Sequence, residues 1–216
     1  MNSSLIFSAI SFISVVSVLV PLIVGVVRLR SLNLAMKVLF IYIVVSTLTE
    51  TLNTLFFFIS KENYIVRNSF TLLETFFISW IYFIKFQSRR SRVSITLLFA
   101  GYLILAFYML VIRHGFNQPD NVMNTVEAWF FIILTGLYFK KVITEINDVN
   151  ISEPYFIWIN SAFLLYFSMG FFLFLFTVYL EKCGLQQYYY LYSLHLVTNI
   201  AFNIILAIGV WKAHPR

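Results

Sequence analysis

Three carboxylates and one imidazole sit inside otherwise apolar stretches of this chain: Glu50, Glu74, Glu127 and His195. Each belongs to a set of polar residues spaced three or four apart, which places the set on one face of a helix. Glu50 goes with Ser46, Thr49 and Asn53, Glu74 with Arg67 and Thr71, and Glu127 with Asp120 and Asn124. His195 continues a stripe of Tyr188, Tyr192, Asn199 and Asn203, while the other faces of that segment carry Leu, Val, Ile and Phe. Such a stripe must face something polar, because lipid would leave it unsatisfied. An ionisable side chain near the middle of a membrane helix costs about 2.5–3.5 kcal/mol, so three charged and unpaired Glu would cost roughly 8–10 kcal/mol. Protons, water, a cation or mutual hydrogen bonds must offset most of that.

Residues of these types can titrate, hold a divalent metal or receive a cationic ligand. The structural alternative is a network that glues helices together. Interhelical hydrogen bonds in membranes are worth only about 0.6 kcal/mol on average, and Ser, Thr or Asn supply them without a stranded charge. The expectation is one cavity lined by Glu50, Glu74, Glu127 and His195, which would also be the ligand set of any bound divalent metal. Asn53, Tyr192, Asn199 and Asn203 would support it.

The elements that must position these groups follow from composition. The chain has 216 residues, 61% hydrophobic and 11% charged, with 25 Phe and 13 Tyr, and a mean hydropathy of +0.87. Soluble domains carry about 25% charged residues. Seven apolar runs, residues 5–27, 38–60, 68–84, 93–112, 121–139, 155–180 and 188–211, approach or exceed the roughly 17–25 residues that a spanning helix needs. Connections are short, so the sequence predicts an all-α polytopic membrane protein with a single seven-helix domain over residues 1–216. The first, third and fifth connections and the C-terminus hold Arg28, Arg30, Lys37, Lys85, Arg89, Arg90, Arg92, Lys140, Lys141, Lys212 and Arg216. The other three hold only Lys61, Arg67, Arg113 and Lys182. That bias puts the N-terminus outside and the C-terminus in the cytoplasm. Trp158, Trp211 and Tyr138 then fall near the inner boundary, and Tyr64, Tyr179 and Tyr188 near the outer one. On this topology the cavity opens outward, with Glu127 the shallowest of the four.

The net charge of +6 is confined to those short clusters, which argues against a nucleic-acid face. Met1-Asn2-Ser3-Ser4 has no basic residue, so the first run is expected as a retained span rather than a signal peptide. The lone Cys183 permits neither an intrachain disulfide nor a cysteine-based zinc site.

Smaller features complete the pass. Ser4, Ser8, Ser11, Ser14 and Ser17 form a small-residue stripe suited to close helix packing. Pro21 and Gly25 follow, where a kink is tolerable. The fourth run, with Gly101 and Tyr102 its least apolar central residues, is expected to face lipid. Asn160, Ser161 and Ser168 suit helix–helix hydrogen bonding. The connection 143–154, with Thr144, Glu145, Asn147, Asp148, Asn150 and Glu153, reads as a solvated loop ending at a Pro154 helix start. Leu73-Glu74-Thr75-Phe76-Phe77 and Val126-Glu127-Ala128-Trp129-Phe130 are alike and lie in helices expected to run the same way, as in the parallel repeats of some transporters.

Retinal is disfavoured, since the only lysine of the last run, Lys212, lies at its end. Membrane hydrolases of the adiponectin-receptor and ceramidase type hold zinc with several histidines, whereas His114 and His214 here lie at helix ends. Leu48-Thr49-Glu50, Asn68-Ser69-Phe70-Thr71-Leu72-Leu73-Glu74 and Trp158-Ile159-Asn160-Ser161 have a counterpart elsewhere, as does the spacing of His195, Asn199, Asn203 and Gly209-Val210-Trp211. In these the chain resembles a group of small seven-helix membrane proteins of Bacteroidota-type bacteria that has no assigned activity. The resemblance implies a bacterial inner membrane and nothing about mechanism. The leading functional expectation is a membrane sensor that binds a small ligand, cation or protons and acts through a separate protein partner. A metal-assisted lipid hydrolase and a proton-coupled carrier are the alternatives.

Overall fold

The computed structural model describes residues 3–59, 63–113, 115–116, 118, 120–145, 154–183 and 185–213. Lys61, His114, His214, Arg216 and most of the 143–154 connection therefore lie outside the described residues, as do the side chains of Tyr179, Lys182, Cys183 and Tyr188. The described chain is helical: α1 (Ser3–Ser17), α2 (Leu19–Arg28), α3 (Leu34–Ile59), α4 (Tyr64–Lys85), α5 (Arg89–Phe107), α6 (Asn121–Glu145), α7 (Pro154–Cys183) and α8 (Leu185–Lys212). A 3-10 turn, Leu29–Ser31, extends α2, and a π-helical turn, Tyr108–Arg113, extends α5.

Six segments are long and apolar enough to cross a membrane: Ile6–Ser31, Leu34–Phe56, Arg89–Arg113, Asn121–Thr144, Pro154–Thr177 and Tyr190–Lys212. The chain is a multi-pass membrane protein. The remaining run of the sequence, 68–84, forms α4, a helix of 22 residues and so about 33 Å long. It stands apart from the six because Asn68, Thr71, Glu74, Thr75 and Ser79 interrupt its apolar residues. The first run is broken rather than continuous. Pro21 has no N–H to return to the Ser17 carbonyl and its ring crowds that carbonyl, so α1 ends there and α2 begins after Val18. The next bond, from the Leu22 N–H to the Val18 carbonyl, is stretched to 3.4 Å.

The helices form two compact units, one of residues Leu32–Glu127 and one of Met1–Ser31 with Ala128–Arg216. In the Leu32–Glu127 unit, α4 packs against both α3 and α5. Its buried face recurs every three or four residues, through Asn68, Thr71, Glu74, Thr75, Ile78, Ser79 and Tyr82. Helix α4 is thus enclosed on one side, and its polar stripe points inward. Helix α5 buries only Ile95, Tyr102 and Ala106, and leaves Leu97 and Ile104 67% and 72% exposed, as suits a face turned to lipid. Tyr102, Ala106, Leu110 and Met123 pack together against Leu72.

In the other unit α8 packs along α7 and also against α1 and α2. Phe163 and Tyr166 of α7 meet Phe202 of α8, and Phe131 of α6 meets Phe167 at 4.5 Å between ring centres. Asn160 is fully buried and donates to the Thr135 carbonyl at 3.2 Å, the helix–helix bond its type suggests. At one end the Arg28 guanidinium lies over the Trp211 ring at 4.3 Å, and the Lys212 ammonium over the Trp158 ring at 4.4 Å.

Candidate functional site: a buried carboxylate pair

The hydrogen bonds of α4 set its neighbours in register. The Tyr42 hydroxyl of α3 donates to Glu74 Oε1 at 2.7 Å. Eight residues along α3, Glu50 comes within electrostatic reach of Arg67, seven residues back along α4, as an antiparallel pair requires. Towards α6 the order is parallel: the Thr71 hydroxyl meets Asn124 Oδ1 at 3.4 Å, and one turn later the Thr75 hydroxyl meets Glu127 Oε1 at 2.5 Å. Glu74 and Glu127 are 6% and 5% exposed, and near enough that a charge on one opposes a charge on the other. Their partners are hydroxyls. Among the described residues no basic side chain pairs with either.

The Thr75 hydroxyl has one proton and two acceptors in reach, Glu127 Oε1 and the Thr71 carbonyl at 2.8 Å. When Glu127 is ionised, Thr75 donates to it. When Glu127 carries a proton, Glu127 donates and the Thr75 proton turns to its own helix. The hydroxyl is therefore a two-position donor whose setting follows the charge on Glu127. Tyr102 of α5 adds a third hydroxyl, 3% exposed and without a hydrogen-bond partner among the described residues. It faces Thr75 and lies in the field of Glu74, Glu127 and Asp120.

No family model, no curated protein and no solved structure matches this chain. What the site does has to be argued from its own chemistry.

The sequence-derived candidates are placed as follows. Glu74 and Glu127 come together. Glu50 and Asn53 are half-buried further along α3, with Glu50 towards Arg67. His195 belongs to the other unit, where its ring lies 5.6 Å from Tyr166 and 6.3 Å from Tyr192, and Tyr192 lies 6.0 Å from Phe7. The carboxamides of Asn199 and Asn203 donate to the Ser14 and Ser17 hydroxyls, each at 2.9 Å. The polar stripe of the last helix thus finds its partner in the serine stripe of the first. Among the described residues no three His, Cys, Asp or Glu side chains group as metal ligands, so no divalent-metal site is assembled there.

Three groups escaped the sequence reading. Tyr42 extends the Ser46–Thr49–Asn53 stripe one turn back, a signal that the spacing already held. Thr75 continues Asn68–Thr71 by four residues and was masked by the Glu beside it. Tyr102 reads in the sequence only as one of the least apolar central residues of a helix expected to face lipid, yet it is buried.

Proposed function

We propose that this protein is a membrane sensor in which Glu74 and Glu127 take up positive charge, a proton or a compact cation, and pass the change to a separate partner. One observation carries the proposal: two enclosed carboxylates supported, among the described residues, by hydroxyls alone. Left ionised within the membrane they would cost roughly 5–7 kcal/mol together, so the site gains from any small cation able to enter it. Uptake resets the Thr75 hydroxyl and with it the contact between α4 and α6, a local change with two discrete arrangements. In this reading α4 is the seventh span, its polar stripe turned inward. The Lys and Arg bias supports an outer N-terminus and a cytoplasmic C-terminus, and the resemblance supports a bacterial inner membrane. The partner would then meet the basic cytoplasmic connections.

The test is ligand-dependent stability of the purified protein. The melting temperature should move with pH or with added monovalent cation, and Glu74→Gln with Glu127→Gln should fold yet show no shift. A full shift in the doubly substituted protein would refute the assignment.

A proton-coupled carrier is the second reading, favoured by one observation: the two similar segments around Glu74 and Glu127 lie in parallel register. Proton flux into proteoliposomes that depends on a co-substrate separates it from the sensor. The lipid-hydrolase alternative finds no ligand group among the described residues.

A further inference from the structure

The polar contacts between α4 and α6 do not stop at the carboxylate pair; they run to an exposed turn. Gly115, with φ 76°, opens that turn, and Phe116 and Gln118 in it are exposed. The Asn68 carboxamide ties it to α4 by donating to the Phe116 and Gln118 carbonyls at 3.0 and 2.9 Å. Just inside stands Asp120, 3% exposed. Its Oδ1 caps α6 by accepting from the Met123 N–H at 2.9 Å, while Oδ2 is buried and unpartnered among the described residues. One turn deeper is Asn124 beside Thr71, and the next turn brings Glu127. From α5 the Tyr102 hydroxyl turns towards Thr75 and lies in the field of Glu127 first, then of Glu74 and Asp120; by hydrogen-bond geometry it has no partner among the described residues.

Two enclosed, unpartnered oxygens flanked by a carboxamide and carboxylates are the surroundings in which internal water is held. Asp120 and Glu127 are seven residues apart, about 10 Å along the helix axis, too far for direct transfer and suited to a relay. Among the described residues the titratable groups placed along this path are Glu74 with its Tyr42 partner, Glu127, Tyr102 and Asp120, and none of them is basic.

We propose that Asp120 is the proton-loading group of the carboxylate pair, feeding Glu127 through water held at the Tyr102 hydroxyl. This rests on the reading of Glu74 and Glu127 as a charge-accepting pair and identifies the charge as a proton. A proton from solution beside the exposed Phe116 and Gln118 binds Asp120 Oδ2. That O–H bond then breaks as one forms to the bridging water, and the water gives one of its own protons to Glu127. Asp120 returns to the carboxylate and reloads. The net change is one proton moved from solution to Glu127.

The experiment is a light-triggered pH jump on the full chain in lipid nanodiscs, with the carboxylic-acid carbonyl absorption followed by time-resolved infrared spectroscopy. Loss of the band in Glu127→Gln assigns it. Asp120→Asn keeps an oxygen for the helix cap and removes only the acid. Tyr102→Phe removes a hydroxyl turned towards Thr75 and leaves the cap alone, so it decides the matter if Asp120→Asn does not fold. Both variants should reach the wild-type amplitude but rise about tenfold or more slowly, the scale of a lost acid–base group. Asp120→Glu should restore the rate. Wild-type rates in the Asn and Phe variants would overturn the Asp120 route and leave the carboxylate pair standing. Absence of the band in the wild-type protein would remove the pair as a proton acceptor, and the route with it.

Discussion

Replacing Thr75 by Val tests the centre of the site with almost no change of shape. Thr75 is 0% exposed, and its hydroxyl sits 2.5 Å from Glu127 Oε1 and 2.8 Å from the Thr71 carbonyl. Valine fills the same space and leaves no cavity, so any large effect comes from the hydroxyl. Two outcomes for Glu127 are open after substitution, and both are costly. An ionised Glu127 loses a charge-assisted donor, and a protonated one loses its acceptor. Leaving a buried polar group unsatisfied costs about 1–3 kcal/mol, which is about a 5- to 150-fold change in the folding equilibrium. Thr75→Ser keeps the hydroxyl and removes one methyl group, a loss of about 0.8 kcal/mol. The assay is equilibrium unfolding in mixed detergent of Thr75→Val, Glu127→Gln and the double variant. If the two groups act as a pair, the cycle should show a coupling of about 1–2 kcal/mol. Additivity to within about 0.3–0.5 kcal/mol would refute the pairing and with it the two-position hydroxyl.

Other substitutions probe the scaffold. A Cβ on Gly209 would stand 2.6 Å from the Ile159 side chain and 3.3 Å from both the Ile159 nitrogen and the Tyr155 carbonyl. Gly209→Ala should therefore cost about 1–3 kcal/mol through forced separation of α7 and α8, seen as a lowered melting temperature; an unchanged value would contradict that close approach. Ser17→Ala should destabilise by about 1–3 kcal/mol because the buried Asn203 amide loses its acceptor. Adding Asn203→Leu should recover part of that loss, and a further drop on the second substitution would show that the rung contributes nothing.

The helical fold was legible because membrane helices announce themselves by length and apolarity, as residues 93–112 and 155–180 do in α5 and α7. Two departures have local causes. Pro21 divides the first run, since one missing N–H and one crowded carbonyl end a helix without altering composition. The run at 68–84 is a helix as expected, yet its polar stripe keeps it out of the six apolar segments. The site was legible by residue type and less so by partner. Periodicity places Glu74 and Glu127 on inward faces, but it says nothing of which helix they will meet. Tyr42 and Thr75 became visible only once α3, α4 and α6 were in register. The same ambiguity leaves open what Asn199 and Asn203 face, although the serine stripe that receives them reads as a packing surface.

The contrast between the two polar stripes bears on function. In α8 the two carboxamides of the stripe, Asn199 and Asn203, are neutral, and each ends on a serine hydroxyl of α1, a one-to-one match of donor and acceptor. That is how helices are joined when joining is the whole task. In α4 and α6 the same geometry would have accepted Gln at 74 and 127, with hydroxyl partners satisfied at no risk of charge. Glutamate instead brings two groups whose charge state is variable, beside three hydroxyls that can donate or accept. A structure built only to hold helices together gains nothing from that variability, whereas one that must respond to a proton or a cation depends on it. Substituting both Glu by Gln therefore separates the two roles: a retained melting temperature with a lost response is the signature of a site, and a lost fold is the signature of glue.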